Sequence, residues 1–158
     1  MSTSPSSAER ISLSAPAEAA GYAGMLPFIA SLAGMGLLPS IEHRELAQHI
    51  AIAWGAVVLS FVGATHWGLA LAGRLAWSMQ RVVASILPAL VGAAAVVLNG
   101  QRALGLLVVG FGVFWLYEHR RVGEELPQDY LRLRRNLSVA VCALLALTMI
   151  LSESVGLS

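Results

Sequence analysis

One histidine lies deep inside an apolar run. His66 sits in the stretch WGAVVLSFVGATHWG, Trp54–Gly68, far from any other ionisable side chain in that run. A polar group away from water costs free energy unless it finds a partner, so a histidine at such a position marks a place to look for chemistry. At helical spacing His66 shares a face with Gly55, Leu59, Val62 and Gly63. The glycines leave room on that face for a neighbouring backbone or for a ligand. Ser60, Thr65, His66 and Trp67 therefore form the candidate intramembrane polar site. Two readings stand. His66 is a neutral imidazole hydrogen-bonded to a neighbouring helix, or it serves a haem, a quinone or a proton. No cofactor is expected on the first reading; haem, quinone or lipid belongs to the second.

Other chemistry is thinly represented. Cys142 is the single cysteine and stands in an apolar run, so no internal disulfide forms and no metal site is built from cysteine. His43 and His49 lie beside Glu42, Arg44 and Glu45, where exposure is the simple expectation, and no metal site is expected. There is no phosphate loop, no paired-cysteine motif, no zinc-type helix and no nucleophile–base set within the apolar runs. An enzyme is not the expected class.

The elements that hold these residues are apolar. Of 158 residues, 57% are hydrophobic and 12% charged, and the mean hydropathy is +0.72. A soluble domain needs about a quarter of its residues charged. A net charge of +1 gives no field that would suit nucleic acid. All ten basic residues are arginines.

A bilayer core about 30 Å thick needs roughly 20 helical residues. Five uncharged runs qualify as spans: Tyr22–Leu38, His49–Ala72, Val82–Leu98, Ala103–Tyr117 and Leu137–Leu151. The last two need their flanks to complete a crossing. The expected fold class is all-α, a polytopic membrane protein with a bundle of five transmembrane helices. Residues 1–21 are expected to be a disordered tail, 22–151 the membrane domain with its first span retained, and 152–158 a C-terminal tail. One side receives Arg10, Arg74, Arg81, Arg120, Arg121, Arg132, Arg134 and Arg135; the other receives Arg44 and Arg102. That bias places the N-terminus inside and the C-terminus outside. A bacterial-type cytoplasmic membrane is the expected location.

Small residues at four-residue spacing allow helix backbones to approach in lipid. Ala56, Ser60, Ala64 and Gly68 make one stripe; Ser85, Ala89 and Ala93 make another, and the two are expected to face each other. Gly55 and Gly63 join the packing set. Pro27 and Pro88 lie inside spans, where packing accounts for them. Trp54, Trp67, Trp77 and Trp115 gather toward span ends as interfacial anchors, with Trp67 deeper. The segment Glu118–Arg135 is expected to hold a short interfacial helix starting near Pro127. In it Glu118 caps the fourth span from the cytosolic edge, within reach of Arg120, Arg121 or an arginine of the second loop. Its basic and acidic residues balance, so no polybasic lipid trap is expected. Tyr130 and Arg134 complete that surface, which offers a docking site for other membrane proteins.

Three motifs carry a resemblance. Trp54, Gly55, Ala56, Leu59, Ser60, Phe61, Gly63, His66, Trp67 and Gly68 form the first; Ser85, Pro88, Ala89 and Leu90 the second; Pro127, Tyr130, Leu133, Arg134 and Leu137 the third. In that order they resemble the family called domain of unknown function 3429, related to mitochondrial transmembrane protein 69. The resemblance covers about residues 22 to 150. Ala64 replaces an expected glycine, Glu118 an expected aspartate and Asp129 an expected aromatic residue. The resemblance implies a multi-span inner-membrane protein and no particular activity. The leading expectation is a non-enzymatic accessory or assembly subunit that contacts the lipid bilayer and packs against other membrane proteins. The alternative is a small-molecule or cofactor site centred on His66 and Trp67.

Overall fold

Polar residues do not end the helices where the apolar runs end. A computed structural model describes residues 15–121 and 128–156. They form six helices: α1 (Ala15–Ala23), α2 (Leu26–Leu37), α3 (Ile41–Leu71), α4 (Met79–Leu98), α5 (Gly100–Arg121) and α6 (Gln128–Ser154), with no strand among the described residues. Five segments are long and apolar enough to cross a membrane: Glu18–Leu37, Ile41–Leu71, Met79–Leu98, Gly100–Arg121 and Asp129–Ser154. The all-α class and the five candidate spans agree with the sequence reading.

The boundaries shift outward for local reasons. Helix α1 starts at Ala15, inside the stretch expected to be a disordered tail. Its alanines favour helix, and Gly21 lies against Leu133 and Leu137 of α6, which gives the turn a packing partner. Helix α3 begins well before its apolar run because Ser40 caps it, accepting from the His43 backbone N–H. Ser78 caps α4 in the same way, accepting from the Arg81 N–H at 3.2 Å. The separate interfacial helix expected near Pro127 is not found among the described residues. From Gln128 onward the chain is already α6, because its arginines and leucines are good helix formers and continue into the span without a break. Pro127 itself, with the rest of 122–127, the tail up to residue 14 and residues 157–158, lies outside the described residues.

Where the first span breaks between α1 and α2, Pro27 stands in the opening turn of α2 and has no N–H to give. The Gly24 carbonyl beside the break accepts the Trp54 indole N–H at 2.8 Å. Trp54 is thus a hydrogen-bond donor within the bundle and not the interfacial anchor its place in the sequence suggested. Asn99 and Gly100 link α4 to α5 with consecutive positive φ values, 51° and 60°. Asparagine and glycine tolerate that conformation, so the reversal needs almost no loop.

Helix α3 is the central element: half of its most apolar stretch is buried, against 17–28% for the other four spans. Its contact with α4 is the tightest, but the expected stripes are displaced. A Cβ added at Gly63 would stand 2.7 Å from the Ser85 carbonyl oxygen and 2.9 Å from Pro88 Cγ. One at Gly92 would stand 2.9 Å from the Ala56 carbonyl oxygen. The seam therefore runs through Ala56 and Gly63 on α3 and Ser85, Pro88 and Gly92 on α4. Ser60 and Ala89 are half-buried at its edge, while Ala64, Gly68 and Ala93 are exposed. A four-residue stripe drifts round a 3.6-residue helix, so its far end leaves the seam. Gly55 meets Leu107 of α5 and Phe28 of α2 instead of α4. Phe28, Ile52, Leu59, Leu104, Phe111 and Leu145 fill the middle of the core.

Candidate functional site

Three buried stripes converge on one end of the bundle. On α3 the stripe is Gln48, Ile52, Gly55, Leu59, Val62 and His66; on α5 it is Leu104, Leu107, Phe111, Phe114 and Glu118. On α6 it is Arg134, Ser138, Val141, Leu145, Thr148 and Ser152, all but half-buried Arg134 fully buried. Steps of three and four residues keep each set on one helix face. The α3 and α6 stripes carry polar residues at both ends, and the α5 stripe carries one at the Glu118 end only. At one end Gln48 Nε2 donates to Ser152 Oγ at 2.5 Å. At the other, the stripes deliver His66, Glu118 and Arg134 to the same place.

Arg134 Nε donates to Glu118 Oε2 at 3.0 Å. His66 Nε2 stands 3.7 Å from Glu118 Oε1, an ion-pair distance too long for a hydrogen bond. His66 is 2% and Glu118 1% exposed. Among the described residues Glu118 Oε1 has no hydrogen-bond partner, and the imidazole has none on another helix, its one polar contact being a poorly aligned approach to the Val62 carbonyl of its own helix. Around them, the Phe114 ring meets the imidazole edge-on at 5.3 Å and Tyr117 lies tilted at 6.2 Å. The Tyr130 hydroxyl is beside Thr65 and near Glu118.

A carboxylate taken out of water is tolerated when a cation and good hydrogen bonds replace the solvent. Arg134 supplies one bond to one oxygen. The second oxygen and the imidazole remain as an incomplete polar set. Native interiors seldom leave such groups unmatched, and unmatched ones point to an absent water or ligand. A guanidinium carries five N–H donors, and Glu118 takes one of them.

Access comes from the α5–α6 side. A cavity of about 230 Å³ is lined by Trp115, Glu118, His119, Arg132, Arg134 and Arg135. Trp115 and His119 stack at 5.7 Å and form one wall. Arg134 also lines an apolar crevice of about 320 Å³, bounded by Trp54, Phe61, Val62, Leu137 and Val141. The same side chain thus joins a charged cavity to an apolar groove.

Of the other expected site residues, Thr65 stays at the rim beside the Tyr130 hydroxyl, while Ser60 and Trp67 lie apart. Ser60 and Thr65 turn their hydroxyls onto their own helix, donating to the carbonyls of Ala56 and Val62 at 2.7 Å each. Ser85 likewise donates to Val82. Trp67, adjacent to His66 in sequence, points about 100° away round the helix, is exposed, and meets Trp77 edge-on at 5.3 Å. It is no part of the His66 site. Arg120 and Arg121 are exposed, and Glu118 pairs with Arg134 instead. Glu118 does not cap a span from the edge, because α5 continues to Arg121 and carries it inward. The stripe signal was available: Glu118 and Arg134 each continue a three–four spacing of apolar residues.

The model of a family described as "Protein of unknown function (DUF3429)" matches residues 13–150. No curated protein and no solved structure matches the chain.

Proposed function

The chain belongs to the DUF3429 family of unknown function, and from that premise we propose a non-enzymatic, ligand-binding integral membrane protein whose centre is Glu118, held by Arg134 and backed by His66. The observation that supports the reading is Glu118, which lines the cavity that opens beside Arg134 while its buried Oε1, 3.7 Å from His66, is unmatched among the described residues. In this reading the ligand is amphiphilic: its polar part enters the charged cavity and its apolar part follows the groove below Arg134. The centre of binding moves from His66 and Trp67 to Glu118 and Arg134, and His66 becomes a positioning group. The arginine bias supports a bacterial-type cytoplasmic membrane with the N-terminus inside, which puts this end of the bundle at the cytosolic leaflet. Mass spectrometry of small molecules retained by the detergent-purified protein tests the proposal. The wild type is expected to hold a compound that Glu118→Gln and Arg134→Gln lose; identical spectra from all three would overturn it.

A second reading, an accessory subunit that packs against other membrane proteins, draws on Ala64, Gly68 and Ala93. These small residues face outward, and nothing lies within 4 Å of a Cβ added at Gly68. Small residues on a lipid-facing surface let another helix approach. Cross-linking in native membranes should then trap a partner through that face; a protein recovered only as itself would count against it.

A further inference from the structure

We propose that the polar part of the ligand is the headgroup of an anionic phospholipid, taken from the leaflet on the arginine-rich side. This inference rests on the binding reading above and specifies its chemistry. Among the described residues three guanidinium groups, from Arg132, Arg134 and Arg135, line one cavity with one carboxylate, Glu118, whose charge Arg134 already offsets. Arg132 and Arg135 are exposed and form no ion pair among the described residues. They follow the first turn of α6. A basic pocket between spans at the cytosolic surface suits a phosphodiester. Guanidinium groups bind phosphate oxygens in pairs, and among the described residues Glu118 takes one of the five N–H donors of Arg134. Glu118 lines the same cavity, and its buried Oε1, unmatched among the described residues, is an acceptor for a headgroup hydroxyl. The groove that begins at Arg134 is apolar and runs along the span, where an acyl chain lies.

The test reads Trp115 on the cavity wall. The full-length protein is reconstituted in phosphatidylcholine vesicles with a minor share of either brominated phosphatidylglycerol or brominated phosphatidylcholine. The quenching that Trp115→Phe removes is the signal. Brominated phosphatidylglycerol is expected to be enriched beside Trp115 by about tenfold, since each basic group at the surface favours anionic lipid several-fold. Arg132→Gln/Arg135→Gln should abolish the enrichment and Arg132→Lys/Arg135→Lys should keep most of it. Arg120→Gln/Arg121→Gln, at the same surface but outside the cavity, should leave it intact. Equal quenching by the two lipids in the wild type would overturn the inference, whatever the variants do. So would an enrichment abolished by inorganic phosphate at matched ionic strength, which would assign the cavity to a soluble anion. If Glu118 and Arg134 still control retention of some other compound by mass spectrometry, only the headgroup assignment falls; if they control none, the binding reading falls with it.

Discussion

At the scale of single residues, the bundle tolerates Glu118 because Arg134 reaches it from the next helix, while His66 contributes little to stability. Neither imidazole nitrogen has a hydrogen-bond partner on another helix among the described residues, so the ring is held by its contacts with Phe114 and Tyr117 and by a weak approach to its own helix at Val62. An unsatisfied buried group costs about 1–3 kcal/mol, and an apolar ring of similar shape removes that cost. His66→Phe is therefore expected to leave thermal unfolding in detergent unchanged or raised, while retention of the bound compound falls. A large loss of stability would show that His66 has a structural partner. Trp54 has the opposite balance. Its N–H serves the Gly24 carbonyl where α1 and α2 separate. Trp54→Phe should cost about 1–3 kcal/mol, whereas Trp67→Phe, on the exposed face, should stay within about 0.5 kcal/mol.

At the scale of elements, the α3–α4 seam depends on backbone approach. Gly63 and Gly92 face carbonyl oxygens of the partner helix, which cannot swing aside. Gly63→Ala and Gly92→Ala are each expected to destabilise by about 1–3 kcal/mol, because the two helices must separate. Gly68→Ala, with open space at its Cβ, should be neutral in the same unfolding assay. How much was legible differs with the element. The helices were readable because apolar runs of spanning length leave the backbone no other way to satisfy its hydrogen bonds. The buried face of His66 was readable as well: Gly55, Leu59, Val62 and Gly63 are all buried. Arg134 as the partner of Glu118 was not, because which helices become neighbours depends on packing that no local pattern encodes. The α3–α4 stripes chose the right helices and the wrong rows, since spacing by four alone ignores the drift of the helix.

At the scale of the whole molecule, polarity is layered. Polar pairs close both ends, with Gln48 and Ser152 at one and Glu118 and Arg134 at the other. Between them Phe28, Leu59, Leu104, Leu107 and Phe111 fill the middle, and among the described residues no carboxylate, histidine or arginine is buried there; Thr148 turns its hydroxyl onto its own helix. Proteoliposomes containing the protein should hold a pH gradient as long as empty liposomes do; a faster decay would contradict the dry middle layer. The arginine bias predicts that alkaline phosphatase fused at the C-terminus is active outside the cell, and that a fluorescent protein fused at the same place stays dark. The opposite pattern would turn the bundle over and put the Glu118 cavity at the outer surface.

The pairing of Glu118 with Arg134 across α5 and α6 supports every functional statement, and a double-mutant cycle measures it most directly. Thermal unfolding of the detergent-solubilised protein is compared for the wild type, Glu118→Gln, Arg134→Gln and the double variant. Arg134→Gln is expected to cost about 3–5 kcal/mol by stranding buried Glu118, and Glu118→Gln less, because Arg134 reaches the cavity. The double variant should cost less than the sum, with a coupling of about 0.5–3 kcal/mol. Losses that simply add would mean that the two side chains do not meet, and the site built on them would not exist.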